Sequence, residues 1–130
     1  MSKLRNKAQN FSIFFRGTFP KENMMQVLQS IDFLVIPARW YENSPLVLLN
    51  ALASHTPVVI SNVEGMTEFV ENGKNGFVFL RDDKNDLARV LKHIISNPEL
   101  AVEMAENTTY PKTTEEMTKE IVAIYNKILS

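Results

Sequence analysis

The chain has 130 residues, 14 basic against 15 acidic side chains, and no cysteine. That length holds one domain or less, and an apolar fraction of 45% with 22% charged residues excludes disorder. The absent thiols exclude a disulfide framework, a thiolate metal site and a cysteine nucleophile, and a net charge of −1 gives no overall basic field for nucleic acid or anionic lipid.

Met1 to Asn10 is polar, carries Lys3, Arg5 and Lys7, and is followed by no apolar stretch of signal-peptide dimensions. No apolar run approaches the roughly 20 residues that span a bilayer, so a soluble cytoplasmic protein is the expectation. Phe11–Phe15 is a short aromatic and β-branched run closed by Arg16-Gly17, which predicts a buried strand. Lys21–Ser30 places Met24, Val27 and Leu28 at helical spacing behind Pro20. Asp32–Ile36 predicts a second strand stopped by Pro37, and Ala38–Ser44 a loop.

Ser44-Pro45 offers an N-cap and a proline at the first helical position. The helix predicted from Pro45 to about Ser54 is apolar on nearly every face, which implies almost complete burial. Pro57–Ser61 predicts a third strand, Gly65–Asn72 a short helix, and Gly76–Leu80 a fourth strand. Asp86–Ser96 carries an amphipathic stripe, and a short helix follows Asn97-Pro98 as far as about Glu106. Thr113-Thr-Glu-Glu116 is a capping-box pattern ahead of a last helix with Met117, Ile121, Ile124, Tyr125 and Ile128 on one face.

Apolar strands alternating with helices predict a doubly wound, Rossmann-like parallel α/β sheet of about four strands with helices on both faces. Ligands of such sheets bind beyond the carboxyl ends of the strands. Two loops leave such ends here, Pro37–Ser44 and Asn62–Gly65, and each runs into a helix start that can hold a phosphate on its unpaired N–H groups. The start of the Pro45 helix is the stronger candidate, because an apolar body fixes its position.

The segment Pro37-Ala-Arg-Trp-Tyr-Glu-Asn-Ser-Pro-Leu-Val-Leu-Leu-Asn-Ala-Leu-Ala53 is followed by Pro57-Val-Val-Ile-Ser61, Glu64-Gly-Met-Thr-Glu-Phe-Val70 and Asn75-Gly-Phe-Val78. In order and spacing these four blocks resemble the C-terminal domain of the GT-B retaining glycosyltransferases of group 1, often called family 4, over Phe11 to Tyr125. The resemblance implies a donor-binding domain, residues 1–130 forming part of one, and transfer of a sugar from a nucleoside-diphosphate sugar to an acceptor with retention, as in polysaccharide biosynthesis. It implies no metal and no cofactor besides the donor substrate; the balanced charge already argues against a nucleic-acid partner. In the full-length enzyme it implies a cytoplasmic location, peripheral to the inner membrane face.

By the same resemblance Glu42 faces the donor sugar, and main-chain groups of Asn43, Ser44, Pro45, Leu46 and Val47 cradle the distal phosphate. The position of the family's second glutamate, eight residues after Glu42, is Asn50 here. Asparagine can still bond a ribose hydroxyl, without charge-assisted strength. Gly65 stands where the family has a second glycine of a pair, whose first member is replaced by Glu64. His55 replaces a family glycine in a left-handed helix cap. His55 and His93 have no partner at metal-ligand spacing.

The family domain has six strands in the order 3-2-1-4-5-6, so the four expected here correspond to the last four. The Phe11–Phe15 strand is therefore expected to move beside Asp32–Ile36 or to pair with another chain, as in a homodimer joined through the exposed sheet edge. The N-terminal domain of the enzyme, with the acceptor site, is a further implied partner. Without it the chain is expected not to turn over. The competing readings are a non-catalytic, degenerate sugar-nucleotide-binding or assembly module, and a nucleotide-sugar epimerase of the same architecture.

Overall fold

The computed structural model describes residues 2–41, 43, 45–110 and 112–129. Three parallel strands, β1 (Leu34–Ile36), β2 (Val58–Ser61) and β3 (Gly76–Phe79), pair in that order. Register runs Leu34 to Val58 and Val58 to Gly76, so the carboxyl ends of all three face one rim. Around them lie α1 (Ser2–Ala8), a 3₁₀ turn (Lys21–Asn23), α2 (Met24–Gln29), α3 (Leu46–Ala53), α4 (Lys84–Ser96), α5 (Leu100–Asn107) and α6 (Thr114–Leu129).

The layers follow from the strand faces. β2 is buried along its whole length because both its neighbours and both its faces are covered. On one face Val58 and Ile60 pack with Leu28 of α2 and with Leu48, Ala51 and Leu52 of α3. On the other, Val59 and Phe79 pack with Val90 of α4, flanked by Phe77, Leu87 and Ile94. The doubly wound arrangement expected from the sequence is thus present. β3 approaches β2 so closely that a Cβ on Gly76 would strike the Val58 carbonyl, which explains a glycine opening an apolar strand.

α4 starts two residues before the predicted Asp86, behind a cap the sequence reading did not single out: the Asp83 carboxylate accepts the amides of Asn85 at 2.9 Å and Asp86 at 3.0 Å. Other local expectations hold. Thr113 and Glu116 form the reciprocal capping box: the Glu116 amide donates to Thr113 Oγ1 at 3.2 Å, and the Thr113 amide to Glu116 Oε2 at 2.7 Å. His55 takes the left-handed conformation, with φ 58°.

The Phe11–Phe15 strand does not form. The run turns back on α1 through Phe11 N–H to Ala8 carbonyl and Ile13 N–H to Phe11 carbonyl bonds, and all five residues are exposed. A strand exists only against a hydrogen-bonded neighbour, and among the described residues the free edge of β1 receives none, so the sheet has three strands and not four. The predicted Gly65–Asn72 helix is a series of turns. Gly65 has φ +84°, and the Asn75 side chain takes the Glu71 amide and donates to the Phe69 carbonyl, removing backbone groups a helix would use.

α3 starts one residue later than expected, with Pro45 as its flanking residue at φ −71°, ψ 91°. It is also not wholly buried. Leu48, Ala51 and Leu52 form its sheet-facing stripe, while Leu46 is 72% and Val47 40% exposed. Uniform hydrophobicity does not say which face finds a partner, and over a three-stranded sheet only one does. Among the described residues no helix is long and apolar enough to cross a membrane.

Candidate functional site at the carboxyl rim of the sheet

The rim is built from residues 37–41, 43 and 45 after β1, 62–66 after β2 and 80–83 after β3. Short bonds tie them together. Ser61 Oγ, at the end of β2, donates to the Ala38 carbonyl at 2.6 Å. The Asn62 amide donates to the Phe79 carbonyl at 2.8 Å, and Asn62 Oδ1 accepts the Arg81 amide at 2.7 Å. Arg39 Nε lies 2.6 Å from Asp82 Oδ1, an exposed pair that closes the first loop onto the third. Pairs so exposed add little to stability, so this contact joins the loops without locking them.

Asp86, in the first turn of α4, fixes the third loop. Its Oδ2 accepts the Leu80 amide at 2.8 Å and its Oδ1 accepts from Arg89 Nε at 2.8 Å. The Leu80 amide first, and the Arg89 guanidinium after it, hold this carboxyl below the ordinary aspartate value.

Between the second and third loops lies an open cleft of about 670 Å³, lined by Tyr41, Asn62, Val63, Glu64, Leu80, Arg81 and Asp83. A smaller recess of about 210 Å³ sits under the Arg39–Asp82 pair, over Ser61, Phe79 and Leu87. The large cleft offers an amide oxygen, a carboxylate pair and a guanidinium around a small apolar floor, a donor and acceptor set suited to a polyhydroxylated ligand.

The expected site residues fall into two groups. Asn43 is exposed, Pro45 is buried, and Leu46 and Val47 form the exposed first turn of α3, with half-buried Asn50 one turn further along the side of Leu46. Pro45, the residue flanking α3, supplies no side-chain cap, and as at any helix start the first amides have no intrahelical partner. Gly65 is buried in the turn that follows Val63, and its neighbour Glu64 is exposed and lines the large cleft. Glu42 and Ser44 lie outside the described residues; Tyr41, next to Glu42, lines the cleft.

His55 Nδ1 stands 2.7 Å from the Thr108 carbonyl at the opposite end of the sheet, and His93 meets the Phe77 ring edge-on at 5.5 Å. Both histidines therefore have packing roles. Sequence reading identified two of the three rim loops and missed Leu80–Asp83. The polar turn Arg81-Asp82-Asp83 directly after an apolar strand was the signal available.

A parallel α/β sheet wound on both faces, with loops converging past its strand ends into a polar cleft, defines a domain of the doubly wound class. The chain belongs to the glycosyl transferases group 1 family, whose family model matches residues 2–110. It is 28% identical over 104 residues to an uncharacterized glycosyltransferase of Methanocaldococcus jannaschii, covering 80% of this chain and 29% of that protein. Sucrose-phosphate synthase from Thermosynechococcus elongatus shares the fold with a TM-score of 0.81 at 22% identity, over 98% of this chain and 33% of that one. HepE of Anabaena, solved in complex with UDP-glucose, shares it with a TM-score of 0.67 at 22% identity, over 82% of this chain and 30% of that one. The chain spans between 20% and 30% of the length of the curated relatives it matches.

Proposed function

We propose that this chain is the nucleotide-sugar-binding part of a glycosyltransferase that moves a sugar from a nucleoside diphosphate to an acceptor with retention. The observation that carries the reading is the first turn of α3. Leu48 and Leu52 anchor the helix in the core, while its first turn presents exposed Leu46 and Val47 directly after the block that holds Glu42. Such a terminus binds a phosphate by hydrogen bonding and by the helix dipole together.

In this reading Glu42 meets the donor sugar, the amides around Asn43 to Val47 hold the distal phosphate, and Asn50 bonds the ribose. Gly65, free of a side chain and left-handed, lets the backbone after β2 approach the donor. Family membership and the UDP-glucose held by HepE support a nucleotide sugar as the ligand. The acceptor site, and the cations that neutralise the rest of the diphosphate, belong to parts of the enzyme outside these residues. Binding and orientation between two domains supply much of the rate of such a transfer, so this chain by itself binds donor weakly and does not turn over.

A second reading, a non-catalytic sugar-nucleotide-binding or assembly module, draws on Asn50 in place of a glutamate and on Glu64 exposed beside Gly65. Titration of UDP-, GDP- and ADP-sugars while following Trp40 fluorescence tests the donor site. Saturation by one nucleotide class is expected. Silence with all of them at about 1 mM, where binding energy is only about 4 kcal/mol, would count against any donor site. Glu42→Ala should weaken the sugar nucleotide more than the bare nucleotide; equal weakening removes Glu42 from the sugar. Rapid transfer by the isolated chain would contradict its dependence on the rest of the enzyme.

A further inference from the structure

Two of the chain's four glycines follow an asparagine, at Asn72-Gly73 and Asn75-Gly76. With no Cβ beside it, the amide nitrogen of such a glycine can reach the side-chain carbonyl carbon of the asparagine before it. The two pairs are nearly adjacent in the chain and meet opposite surroundings.

Asn75 is held at both ends of its amide. It is half-buried, its Oδ1 accepts the Glu71 amide at 2.9 Å, and its Nδ2 donates to the Phe69 carbonyl at 3.0 Å. Gly76 behind it is buried, opens β3 in register with Val58, and lies against the Val58 carbonyl. Swinging the Asn75 side chain over the Gly76 nitrogen breaks both bonds and moves strand backbone that has no room to move.

Asn72 is open. It and Gly73 are exposed, and no atom lies within 4 Å of where a Cβ on Gly73 would stand. Asn72 Oδ1 accepts the Val78 amide at 2.8 Å, but Nδ2, the group that must leave, meets no acceptor among the described residues. The Gly73 amide donates to the Gly76 carbonyl at 2.8 Å. That bond joins an exposed turn to a strand edge, and it opens by local fluctuation without disturbing the core.

We propose that Asn72 is a site of spontaneous deamidation in the folded protein, that Asn75 is spared, and that the isoaspartyl product uncaps the outer edge of β3. Hydroxide takes the Gly73 amide proton, and the nitrogen bonds to Asn72 Cγ. The Cγ–Nδ2 bond then breaks, and Nδ2 leaves as ammonia with a proton from water. The cyclic imide takes up one water. Opening at the Cγ–N bond gives aspartate; opening between the main-chain carbonyl carbon of residue 72 and the Gly73 nitrogen gives isoaspartate. One water enters, one ammonia leaves, a carboxylate replaces an amide, and nothing is oxidised or reduced.

The two products differ in what they do to the sheet. β3 is an outer strand, and residues 72–73 cover its open side: the Gly76 carbonyl takes the Gly73 amide, and the Val78 amide takes Asn72 Oδ1. Aspartate keeps an acceptor in that place. Isoaspartate runs the main chain through Cγ and leaves the carboxylate directly on Cα, so the turn lengthens and the acceptor withdraws from Val78. An uncovered strand edge is a template for pairing with another chain.

The test ages the folded full chain at mildly alkaline pH and then digests it with trypsin at mildly acidic pH, where the reaction is slow. Cleavage after Lys74 separates the sites into peptides 40–74 and 75–81, and fragmentation in the mass spectrometer places each change on its residue. Asn72 should convert at least about tenfold faster than Asn75 in the folded chain, the protection of Asn75 being that of local structure. In denaturant the two rates should converge. Equal rates in the folded chain, a faster Asn75, or an Asn72 that stays intact until the chain is denatured overturns the proposal. The aged forms are then separated by charge, and the isoaspartyl form is identified by its resistance to a protease that cuts before aspartate. It should melt about 4 °C below the parent, the loss expected for one such bond, while Asn72→Asp should melt within about 2 °C of the parent. An isoaspartyl form as stable as the parent overturns the uncapping of β3. So does an Asn72→Asp variant that melts as low as the isoaspartyl form, since the rerouted backbone would then not be the cause.

Discussion

His55 Nδ1 donates to the Thr108 carbonyl oxygen across 2.7 Å, joining the end of α3 to the end of α5. The carbonyl can only accept, so the hydrogen sits on Nδ1. Thr108 is itself fully buried, with its Oγ1 donating to the Met104 carbonyl at 2.7 Å. The same His55 has φ 58°, a conformation that costs a non-glycine residue about 1 kcal/mol. Histidine therefore accepts backbone strain and gains a tertiary bond. Two substitutions separate the terms. His55→Ala keeps the strain and loses the bond, and should cost about 1–2 kcal/mol. His55→Gly loses the bond and relieves the strain, at some cost in unfolded-state entropy, and should fall within about 1 kcal/mol of the parent. Chemical denaturation measures both; a glycine variant less stable than the alanine one, by the entropy glycine adds to the unfolded chain, would mean that the conformation carries no strain.

Asp86 predicts a pH dependence. Its pKa lies below the ordinary aspartate value because the charged form accepts the Leu80 amide and pairs with Arg89. A folded pKa below the unfolded one gives a contribution that is complete above about pH 5 and is lost as pH falls through the folded value. Glu116 acts in the same direction, through the Thr113 amide and then the Thr113 hydroxyl. Stability should therefore fall on acidification, and Asp86→Asn should flatten part of that fall. Unfolding midpoints from about pH 7 to about pH 3 for parent and variant measure it. A gap between the two that stays constant over the range would show that Asp86 contributes no differential protonation.

The elements legible in the sequence are those whose cause is local. The Thr113–Glu116 box and the β2 run carry their partners within a few residues, or need only burial. The α3 start was legible within one residue because proline restricts its own φ and its predecessor. What failed depends on neighbours that sequence spacing does not reveal. Phe11–Phe15 has strand composition and no strand to join. Gly65–Asn72 has helical length, but the Asn75 side chain takes one of its amides, that of Glu71, and one of its carbonyls, that of Phe69. The cleft was half visible: Asn62 and Glu64 lay in a loop the topology singled out, whereas Arg81 enters it only through its amide bond to Asn62, a pairing nineteen residues apart.

Gly76→Ala tests the closeness of β3 to β2. The added methyl would meet the Val58 carbonyl and the Val58 side chain, and backbone cannot yield as a flexible side chain does. Overpacking of this kind costs about 1–3 kcal/mol, and the damage should extend to the rim, because Phe79 and Asn62 are bonded just beyond the same strand pair. A lowered denaturation midpoint with an unchanged slope is the expected result. An unaffected midpoint would mean that the strands separate freely at that register.

Asn50 decides how far the α3 site departs from its family. It sits half-buried one turn beyond exposed Leu46, on the same side of α3. If it bonds the ribose of a bound nucleotide, Asn50→Glu replaces a neutral acceptor by a charged one, and charge-assisted bonds are roughly twice as strong. The gain should be about 1 kcal/mol, or about fivefold in affinity for UDP or whichever nucleotide binds. Asn50→Ala should lose a comparable amount. Both changes act on the nucleoside, so the ratio of sugar nucleotide to bare nucleotide affinity should stay fixed, in contrast to Glu42→Ala. Titration by Trp40 fluorescence, repeated with ribose 5-phosphate as competitor, measures the effect. If neither Asn50 variant alters nucleotide affinity while Asn50→Ala lowers stability, the side chain serves the helix packing and not the ribose.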